Sequence, residues 1–260
     1  MNFFFHTNSD KYKSKITIPK FQNCGAVDKN LDLFSANIIN NEWIVNKIEC
    51  NETSHFWTVT CQNNDNEIYF IASELEASLI QQENKLIALN NFTTTSPDYR
   101  ANLEIKNTLG GFSSYQSEYP HGMTTRLASL YTECGNLTFD QSNSVGIFIK
   151  NIYFEPIHDS FPIFLYDDLE ERIINTFDIS LNNTNFIDLT QYKERLANCF
   201  LFAPKFMGVP IYVVEHSDGG LSFEHTHPPT ESIAGADRFN LIKGAKERAN
   251  EKISQTSFSQ

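Results

Sequence analysis

The sequence predicts a mostly β protein with minor α content, in the α+β class. Its C-terminal half is expected to be an antiparallel β-sandwich, because strand-like runs recur there at spacings near ten residues with few helices between them. Its N-terminal half is also β-rich, since short runs of β-branched and aromatic residues alternate with Asn, Asp, Gly and Ser. A C-terminal helix is expected to pack on the sheet.

The N-terminal half, residues 1–109, contains three consecutive segments typical of strands. They are WIVNKIEC at 43–50, HFWTVTCQ at 55–62 and EIYFIA at 67–72. SELEASLIQQ follows and predicts a short helix capped by Ser73, whose hydroxyl can accept a hydrogen bond from a first-turn amide. KLIAL and ANLEIKN then return to strand-like composition.

The periodicity stops at residues 110–124, GGFSSYQSEYPHGMT, where Gly, Ser and Pro mix with polar-tipped aromatic residues. Long segments of this kind inside a compact protein are either functional or disordered, and these aromatic residues suit ordered packing. The segment is therefore predicted to be a long ordered loop at the junction between the two halves.

The C-terminal half, residues 125–260, carries the runs on which the sandwich prediction depends. One interruption, TQYKERLAN at 190–198, predicts a brief helix with Thr190 as its cap. The final segment, 236–253, is predicted to be helical because its apolar residues recur at helical spacing. These residues are Phe239, Ile242, Ala245, Ala249 and Ile253. The strand-like runs lie at 128–134, 146–155, 162–166, 171–180, 199–203, 210–217 and 220–227.

The composition excludes several classes of partner. With 260 residues, of which 40% are hydrophobic and 13% aromatic, the chain is long enough for one large or two small domains and composes like a folded protein. Its 20 basic and 32 acidic residues give a net charge of -12, which repels phosphate backbones and anionic lipid head groups. Neither nucleic acid nor a membrane surface is therefore an expected partner.

The N-terminus and the cysteines predict a cytoplasmic protein. MNFFFHTNSDKYK has a short apolar run with basic residues after it, unlike a secretory signal. Apolar runs elsewhere fall far short of the roughly 20 residues that span a bilayer. The five cysteines are odd in number and lack a CxxC pair, which is typical of reduced thiols. They are Cys24, Cys50, Cys61, Cys134 and Cys199.

PIYVVEHSDGGLSFEHTHPP, residues 210–229, has the signature of a β-hairpin. A loop formed by its Gly-Gly pair would place Glu215 opposite Glu224, which is a destabilising like-charge pair. The Asp-Gly preference of type I′ turns instead favours Asp218 and Gly219 as the two-residue loop. The pairs predicted by this register are His216 with Leu221, Val214 with Phe223, and Tyr212 with His225.

This register places His225 and His227 on the same face as Tyr212, because side chains alternate along a strand. Imidazoles that continue an apolar face need hydrogen-bonding or metal partners. Pro228 and Pro229 end the strand pairing, so His227 is expected at the rim of the sheet, where a site can open to solvent.

The spacing from Gly219 to His225, Thr226, His227 and Glu231 resembles the ligand-bearing part of the first motif of the cupin family. That resemblance implies a divalent metal held by the two His and the Glu inside a β-barrel, with a further His from a second motif. The similarity covers about a dozen residues and is one of spacing, not of family membership. The Pro-Pro pair interrupts the strand of that motif, and no His follows His227.

Independently of the family, two His at positions i and i+2 of a strand project to one side, and with Glu231 they can form a three-ligand face for Zn, Fe or Mn. The alternative is that His225 and His227 merely complete the hairpin by hydrogen bonding. Two segments could complete a metal site. SSYQSEYPHGM offers Tyr115, Glu118, Tyr119 and His121, and EPIHD offers Glu155, His158 and Asp159.

The junction loop is the second candidate for function. Tyr115, Tyr119 and Tyr212 could contact a sugar or another ligand ring, while Gln116 and Glu118 hydrogen-bond its hydroxyls. The alternative is that the loop fills the junction between the halves.

Two functions are compatible with these patterns. The first is a metal-dependent enzyme or metal-assisted binder acting on a small polar molecule, a carbohydrate or other glycan among the candidates. In it His225, His227 and Glu231 would bind metal, with Glu118, His121 or Glu231 as acid-base groups. The second is a non-catalytic β-sandwich module for interaction or ligand binding, in which the histidine pair is structural.

Overall fold

The strands form four small antiparallel sheets in the computed structural model, which describes residues 2–20, 31–61, 66–86, 101–119, 123–125, 128–138, 142–224 and 238–257. The first nine strands are β1 (Asn2–Phe4), β2 (Tyr12–Pro19), β3 (Asp32–Ile39), β4 (Glu42–Lys47), β5 (Asn51–Glu52), β6 (Phe56–Thr60), β7 (Ile68–Ala72), β8 (Asn102–Asn107) and β9 (Phe112–Gln116). The others are β10 (Glu118–Tyr119), β11 (Leu130–Glu133), β12 (Ser142–Lys150), β13 (Ser160–Asp167), β14 (Arg172–Ser180), β15 (Thr184–Asp188), β16 (Cys199–Ala203), β17 (Val209–His216) and β18 (Leu221–Glu224).

In the part of the chain that the structure describes, the helices with assigned bounds are α1 (Glu74–Glu83), α2 (Arg238–Ser257) and two 3-10 helices, Gly135–Leu137 and Thr190–Asn198. The predicted brief helix at 190–198 is thus a 3-10 helix, and Leu189 rather than Thr190 precedes it as the cap. Within the described ranges, no helix combines the length and the apolar character needed to cross a bilayer.

The chain divides into two compact units. Unit 1 comprises Met1–Arg126, Lys150–Asp159 and Ser180–Asn185, and unit 2 comprises Leu127–Ile149, Ser160–Ile179 and Phe186–Gln260. Residues after position 126 therefore belong to both units. The division is discontinuous along the chain, and the predicted junction segment 110–124 contains β9 and β10.

Unit 1 holds two five-stranded sheets, in the orders β10-β1-β7-β3-β4 and β5-β6-β2-β8-β9. β3 and β4 form a hairpin in which Ile39 pairs with Glu42, leaving Asn40 and Asn41 as a two-residue loop. Both loop residues have positive φ, 54° and 62°, as a type I′ turn requires. Asn is one of the few residues that adopt this conformation at low cost, so the turn fixes the register of the hairpin.

The helix α1 begins where the sequence predicts it. Ser73 accepts a hydrogen bond from the Glu76 amide, and the Glu76 side chain accepts one from the Ser73 amide, which together form a capping box. Asn84 ends the helix in the left-handed conformation, and its Oδ1 accepts a hydrogen bond from the Trp43 amide at 2.8 Å. The first turn is therefore capped by side chains, whereas at the C-terminal end the Asn84 backbone amide donates to the Ile80 carbonyl.

Unit 2 contains a sheet of order β11-β16-β13-β14, and most residues of the sheet β15-β12-β17-β18 also belong to it. The helix α2, predicted over 236–253, lays Ala245 and Ala249 against Tyr166, Phe200 and Phe202 of the first sheet. Small residues on the helix let the aromatic rings approach it closely. This contact forms an aromatic core for unit 2.

The β-sandwich predicted for the C-terminal half is wrong. The described strands form four sheets of four or five strands each, the size of single blades of a β-propeller, and not the two broad layers of a sandwich. Short antiparallel strands near ten residues apart are typical of both architectures. Which strands pair decides between them, and pairs such as β11 with β16 join residues that are distant along the chain.

The predicted register of the last hairpin is also wrong, by one residue. Glu215 pairs with Leu221, and Tyr212 lies opposite Glu224 rather than His225. The loop has three residues, because the His216 amide donates to the Gly220 carbonyl at 2.8 Å and the Gly219 amide to the His216 carbonyl at 3.0 Å. Loops of this length place a residue in the left-handed region, here Gly219 with φ of 85°.

Candidate functional site

The described members of the predicted site lie in both units. Tyr115 and Gln116 lie on β9, and Tyr119 on β10 is fully buried, so its ring packs in the interior of unit 1. Glu118 accepts a hydrogen bond from the Ala101 amide at 2.5 Å. In unit 2, the Tyr212 hydroxyl donates to the Glu133 carbonyl at 2.7 Å. Ligand binding by these residues stays a prediction.

The predicted metal ligands His225, His227 and Glu231, and the predicted acid-base residue His121, lie outside the described residues. Across the described ranges, no group of three or more His, Cys, Asp or Glu is arranged to hold a metal ion. The prediction of a metal-binding cluster is therefore wrong for this part of the chain. His158, predicted as a completing ligand, instead has its Nδ1 3.2 Å from the Leu181 carbonyl.

Unit 1 contains a cavity of about 550 Å³ beside the ends of β4, β6 and β7. Its wall carries two carboxylates, a thiol, an amide and three hydroxyls, with two aliphatic side chains between them. A cavity of this size lies within the range of small-molecule sites, which is roughly 300–1,000 Å³. The lining residues are Ile48, Glu49, Cys50, Asn51, Thr58, Val59, Thr60, Glu67 and Tyr69.

The inner part of the wall is a hydrogen-bonded pair. Tyr69 is 2% exposed, and its hydroxyl donates to Glu67 Oε2 at 2.5 Å. Burial raises the pKa of Tyr69, so the phenol keeps its proton. A carboxylate offers about four acceptor positions, so Glu67 can accept further hydrogen bonds from a molecule in the cavity.

A buried thiol lies behind this pair. Cys61 is 5% exposed, and its sulfur is within hydrogen-bonding reach of the Tyr69 and Ser14 hydroxyls. Burial raises the pKa of Cys61 to about 12, so the thiol is protonated near neutral pH. A protonated buried thiol is a weak hydrogen-bond donor and a poor nucleophile.

Asn8, in the chain between β1 and β2, connects the Cys61 backbone to Ser14 of β2. Its Nδ2 donates to the Cys61 carbonyl at 3.1 Å, and its Oδ1 accepts from the Ser14 amide at 2.7 Å and from the Ser14 hydroxyl at 2.8 Å. Asn8 is 2% exposed, so these three hydrogen bonds are shielded from bulk solvent. They hold Cys61 and Ser14 at fixed positions behind the cavity wall.

A fully buried lysine belongs to the same interior. Lys150 Nζ donates to Thr184 Oγ1 at 3.3 Å, and Thr184 Oγ1 donates to the His6 carbonyl at 3.2 Å. The ammonium also lowers the pKa of Cys61 in part, which opposes the larger effect of burial. The His6 ring meets the Tyr69 ring edge-on, with centroids 6.0 Å apart.

Together these side chains form a buried polar cluster behind the cavity, defined as His6, Asn8, Ser14, Cys61, Tyr69, Lys150 and Thr184. Burying polar groups is unfavourable unless each is hydrogen-bonded, so a cluster of this kind specifies one arrangement. Perturbed pKa values near a cleft also concentrate at functional sites. The cavity and the cluster are the candidate functional site.

Sequence reasoning missed this site because its residues are spread from position 6 to position 184 and form no motif. One signal was present. Lys150 stands inside the apolar run VGIFIKNIYF, where a charged residue must be buried with partners if the strand lies in the interior. Comparisons with protein-family models, with curated proteins and with solved structures found no match to this chain.

Proposed function

We propose that this protein binds a small polar molecule in the cavity of unit 1 without transforming it. The observation that carries the proposal is the Tyr69–Glu67 pair, a buried, oriented donor and carboxylate in the wall of a polar cavity of about 550 Å³. Binding sites commonly combine a preformed cavity with a few polar groups held in place by the fold.

The chemistry of the wall favours a ligand with several hydrogen-bond donors. Glu49 and Glu67 supply acceptors, and the hydroxyls of Thr58 and Thr60 can donate or accept. Sugars and other polyols carry such groups, and so do small amines. Anionic ligands are disfavoured by the two carboxylates and by the net charge of -12.

Binding without catalysis is favoured by the protonation of the buried groups. The Tyr69 hydroxyl and the Cys61 thiol have pKa values raised by burial, which suits hydrogen-bond donation better than nucleophilic attack. The alternative of a metal-dependent enzyme rests on His225, His227 and Glu231 and stays a prediction from sequence.

The free state of the four described cysteines supports a reducing compartment such as the cytoplasm.

The experiment is a binding screen with defined probes: glucose, galactose, N-acetylglucosamine, glycerol and putrescine, each followed by melting temperature and calorimetry. We expect at least one probe to stabilise the wild-type protein. Removing one charge-assisted hydrogen bond should then weaken binding about tenfold in Glu67→Gln and in Tyr69→Phe.

Glu42→Gln is the matched control, because Glu42 is exposed on β4 and does not line the cavity. This variant should bind like the wild type. The proposal fails if no probe binds, or if Glu67→Gln and Tyr69→Phe fold normally and bind as tightly as the control.

A further inference from the structure

Two cysteines of unit 2 face each other across neighbouring strands. Cys134 directly follows β11, and Cys199 is the first residue of β16. The ladder between these strands pairs Glu133 with Phe200, and the next bond along it runs from the Cys134 amide to the Cys199 carbonyl at 2.9 Å. Cys134 and Cys199 are therefore opposed at the end of this ladder, where the chain enters the 3-10 helix Gly135–Leu137 and the Cys199 amide donates to the Leu196 carbonyl.

Opposed residues of an antiparallel pair project to the same face of the sheet. Opposed Cα atoms of antiparallel strands lie about 4.5–5.5 Å apart, within the roughly 4.4–6.8 Å that a disulfide spans. Each thiol now has another contact: Cys199 Sγ donates to the Arg195 carbonyl at 3.1 Å, and the Cys134 sulfur interacts with the Leu201 backbone. Rotation of the two side chains would bring the sulfurs closer together.

The two thiols differ in access. Cys134 is fully buried, whereas Cys199 borders a second cavity, of about 440 Å³, in unit 2. A reagent that enters this cavity reaches Cys199 first. The other lining residues are Tyr131, Glu133, Gly135, Asp168, Leu169, Ala197, Asn198 and Phe200.

We propose that Cys134 and Cys199 form a reversible thiol-disulfide site, oxidised by a small disulfide such as oxidised glutathione. The Cys199 thiolate attacks one sulfur of the small disulfide, which forms a mixed disulfide and releases one thiolate. The Cys134 thiolate then attacks Cys199 Sγ, forms the protein disulfide and releases the second thiolate. The two protons lost by the cysteines are taken up by the released thiolates, so the protein loses two electrons and the small disulfide gains them.

Burial makes the exchange slow. The pKa of Cys199 is raised to about 11 and that of Cys134 is raised further, with desolvation the largest cause for each. Few thiolates are therefore present near neutral pH, and we expect oxidation over hours, not seconds. A slow reaction of this kind reports sustained oxidising conditions.

The bridge would tie β11 to β16 across about 65 residues of intervening chain. A disulfide that closes a loop of this length restricts the unfolded chain, so the oxidised protein should melt roughly 5–10 °C higher than the reduced protein.

The test is overnight incubation of the full chain with oxidised glutathione, followed by blocking of free thiols under denaturing conditions and peptide mass spectrometry. We expect a peptide pair linked through Cys134 and Cys199. In Cys134→Ser we expect glutathione to remain on Cys199, because the second step is removed. Melting temperatures of oxidised and reduced wild type provide a second readout.

Cys50, which is half-buried and far along the chain from the pair, serves as the internal control for access of the reagent. The proposal is overturned if Cys50 is modified while Cys134 and Cys199 of the folded wild type both stay free. It is also overturned if Cys199 carries glutathione in the wild type and never transfers to Cys134. The wild-type result decides the matter even if Cys134→Ser does not fold.

Discussion

The interiors of the two units are built from different chemistry. With Tyr and Cys left aside, every buried polar side chain among the described residues belongs to unit 1 except Thr132, Ser142 and Asp167. The first sheet of unit 2 is instead packed against α2 through Tyr166 and Phe200, with neighbouring aromatic rings. Unit 1 also has a large apolar core, so its buried polar side chains are present in addition to that core and do not replace it.

This contrast separates stability from function. Aromatic packing contributes mainly through buried area, so it tolerates little loss of volume but needs no hydrogen-bond geometry. A buried polar cluster depends on each partner and specifies a unique arrangement. We infer that the aromatic core of unit 2 contributes mainly to stability. In unit 1, the buried polar cluster shapes the cavity.

The largest effect is expected from Phe200→Ala, which tests the aromatic side of the comparison. Phe200 is 2% exposed and lies between Tyr131 and Tyr166, with ring centroids 4.7 and 5.1 Å away. The substitution should lower the free energy of unfolding by about 3–5 kcal/mol in urea denaturation. Phe112→Ala is the matched control, because Phe112 is 64% exposed and should change stability by less than about 0.5 kcal/mol. Equal effects would break the comparison.

The next effect tests the polar side, through Asn8→Ala. This change removes three buried hydrogen bonds and leaves the Ser14 amide and the Cys61 carbonyl without a partner, so it should cost about 2–4 kcal/mol. Urea denaturation measures the loss. Asn46→Ala, at an exposed position of β4, should cost far less. If both variants are equally stable, the cluster contributes no specific hydrogen bonding.

The dependence of stability on pH also tests the polar interior of unit 1, through the buried thiol of Cys61. The folded-state pKa of Cys61, about 12, exceeds the ordinary thiol value near 9.0, so the folded state keeps a proton that the unfolded chain loses between these values. The contribution of Cys61 to stability is therefore complete below pH 9 and declines as pH rises toward 12, by at most about 1.4 kcal/mol per pH unit. Cys61→Ala should flatten the dependence of unfolding free energy on pH between 9 and about 10.5 by roughly 2 kcal/mol. Cys50→Ala should flatten it less, and a wild-type slope in Cys61→Ala would contradict the assignment.

The smallest effect is expected from the ion pair between α2 and the β13–β14 turn. Arg248 donates to Asp168 through Nε at 3.0 Å and Nη2 at 2.7 Å, but the two side chains are 42% and 37% exposed. Solvent screening limits such a pair, so Asp168→Asn should cost about 0.3–1 kcal/mol at low salt and less in 1 M NaCl. Glu247→Gln, in the more exposed pair with Lys243, is the control and should cost less still. A loss above about 2 kcal/mol would show that unit 2 depends on charge as well as on aromatic packing.

The parts of the fold that could be predicted from sequence depend on local patterns of residues. The strands predicted at 55–62 and 67–72 appear as Phe56–Thr60 and Ile68–Ala72, and Ser73 caps α1 as expected. Each of these depends on residues within a few positions of one another. The periodicity that predicted the C-terminal helix is local in the same sense.

Which strands pair with each other in the sheets could not be predicted by the same means. β1 pairs with β10 through Phe3 and Tyr119, which are more than a hundred residues apart, and periodicity contains no information about such pairs. The hairpin error had a narrower cause. Both a two-residue and a three-residue loop place Gly219 at positive φ, and the one-residue difference moves every side chain of the second strand to the opposite face.

The type I′ turn at Asn40 and Asn41 also bears on the order in which unit 1 folds. The β3–β4 hairpin needs only a two-residue closure and can form within microseconds, whereas the pairing of β1 with β10 must close a loop of more than a hundred residues. We therefore expect β3 and β4 to be structured in the folding transition state and β1 to join late. Comparison of folding and unfolding rates for Val45→Ala and Phe3→Leu would show this as a high φ-value in the hairpin and a low one in β1.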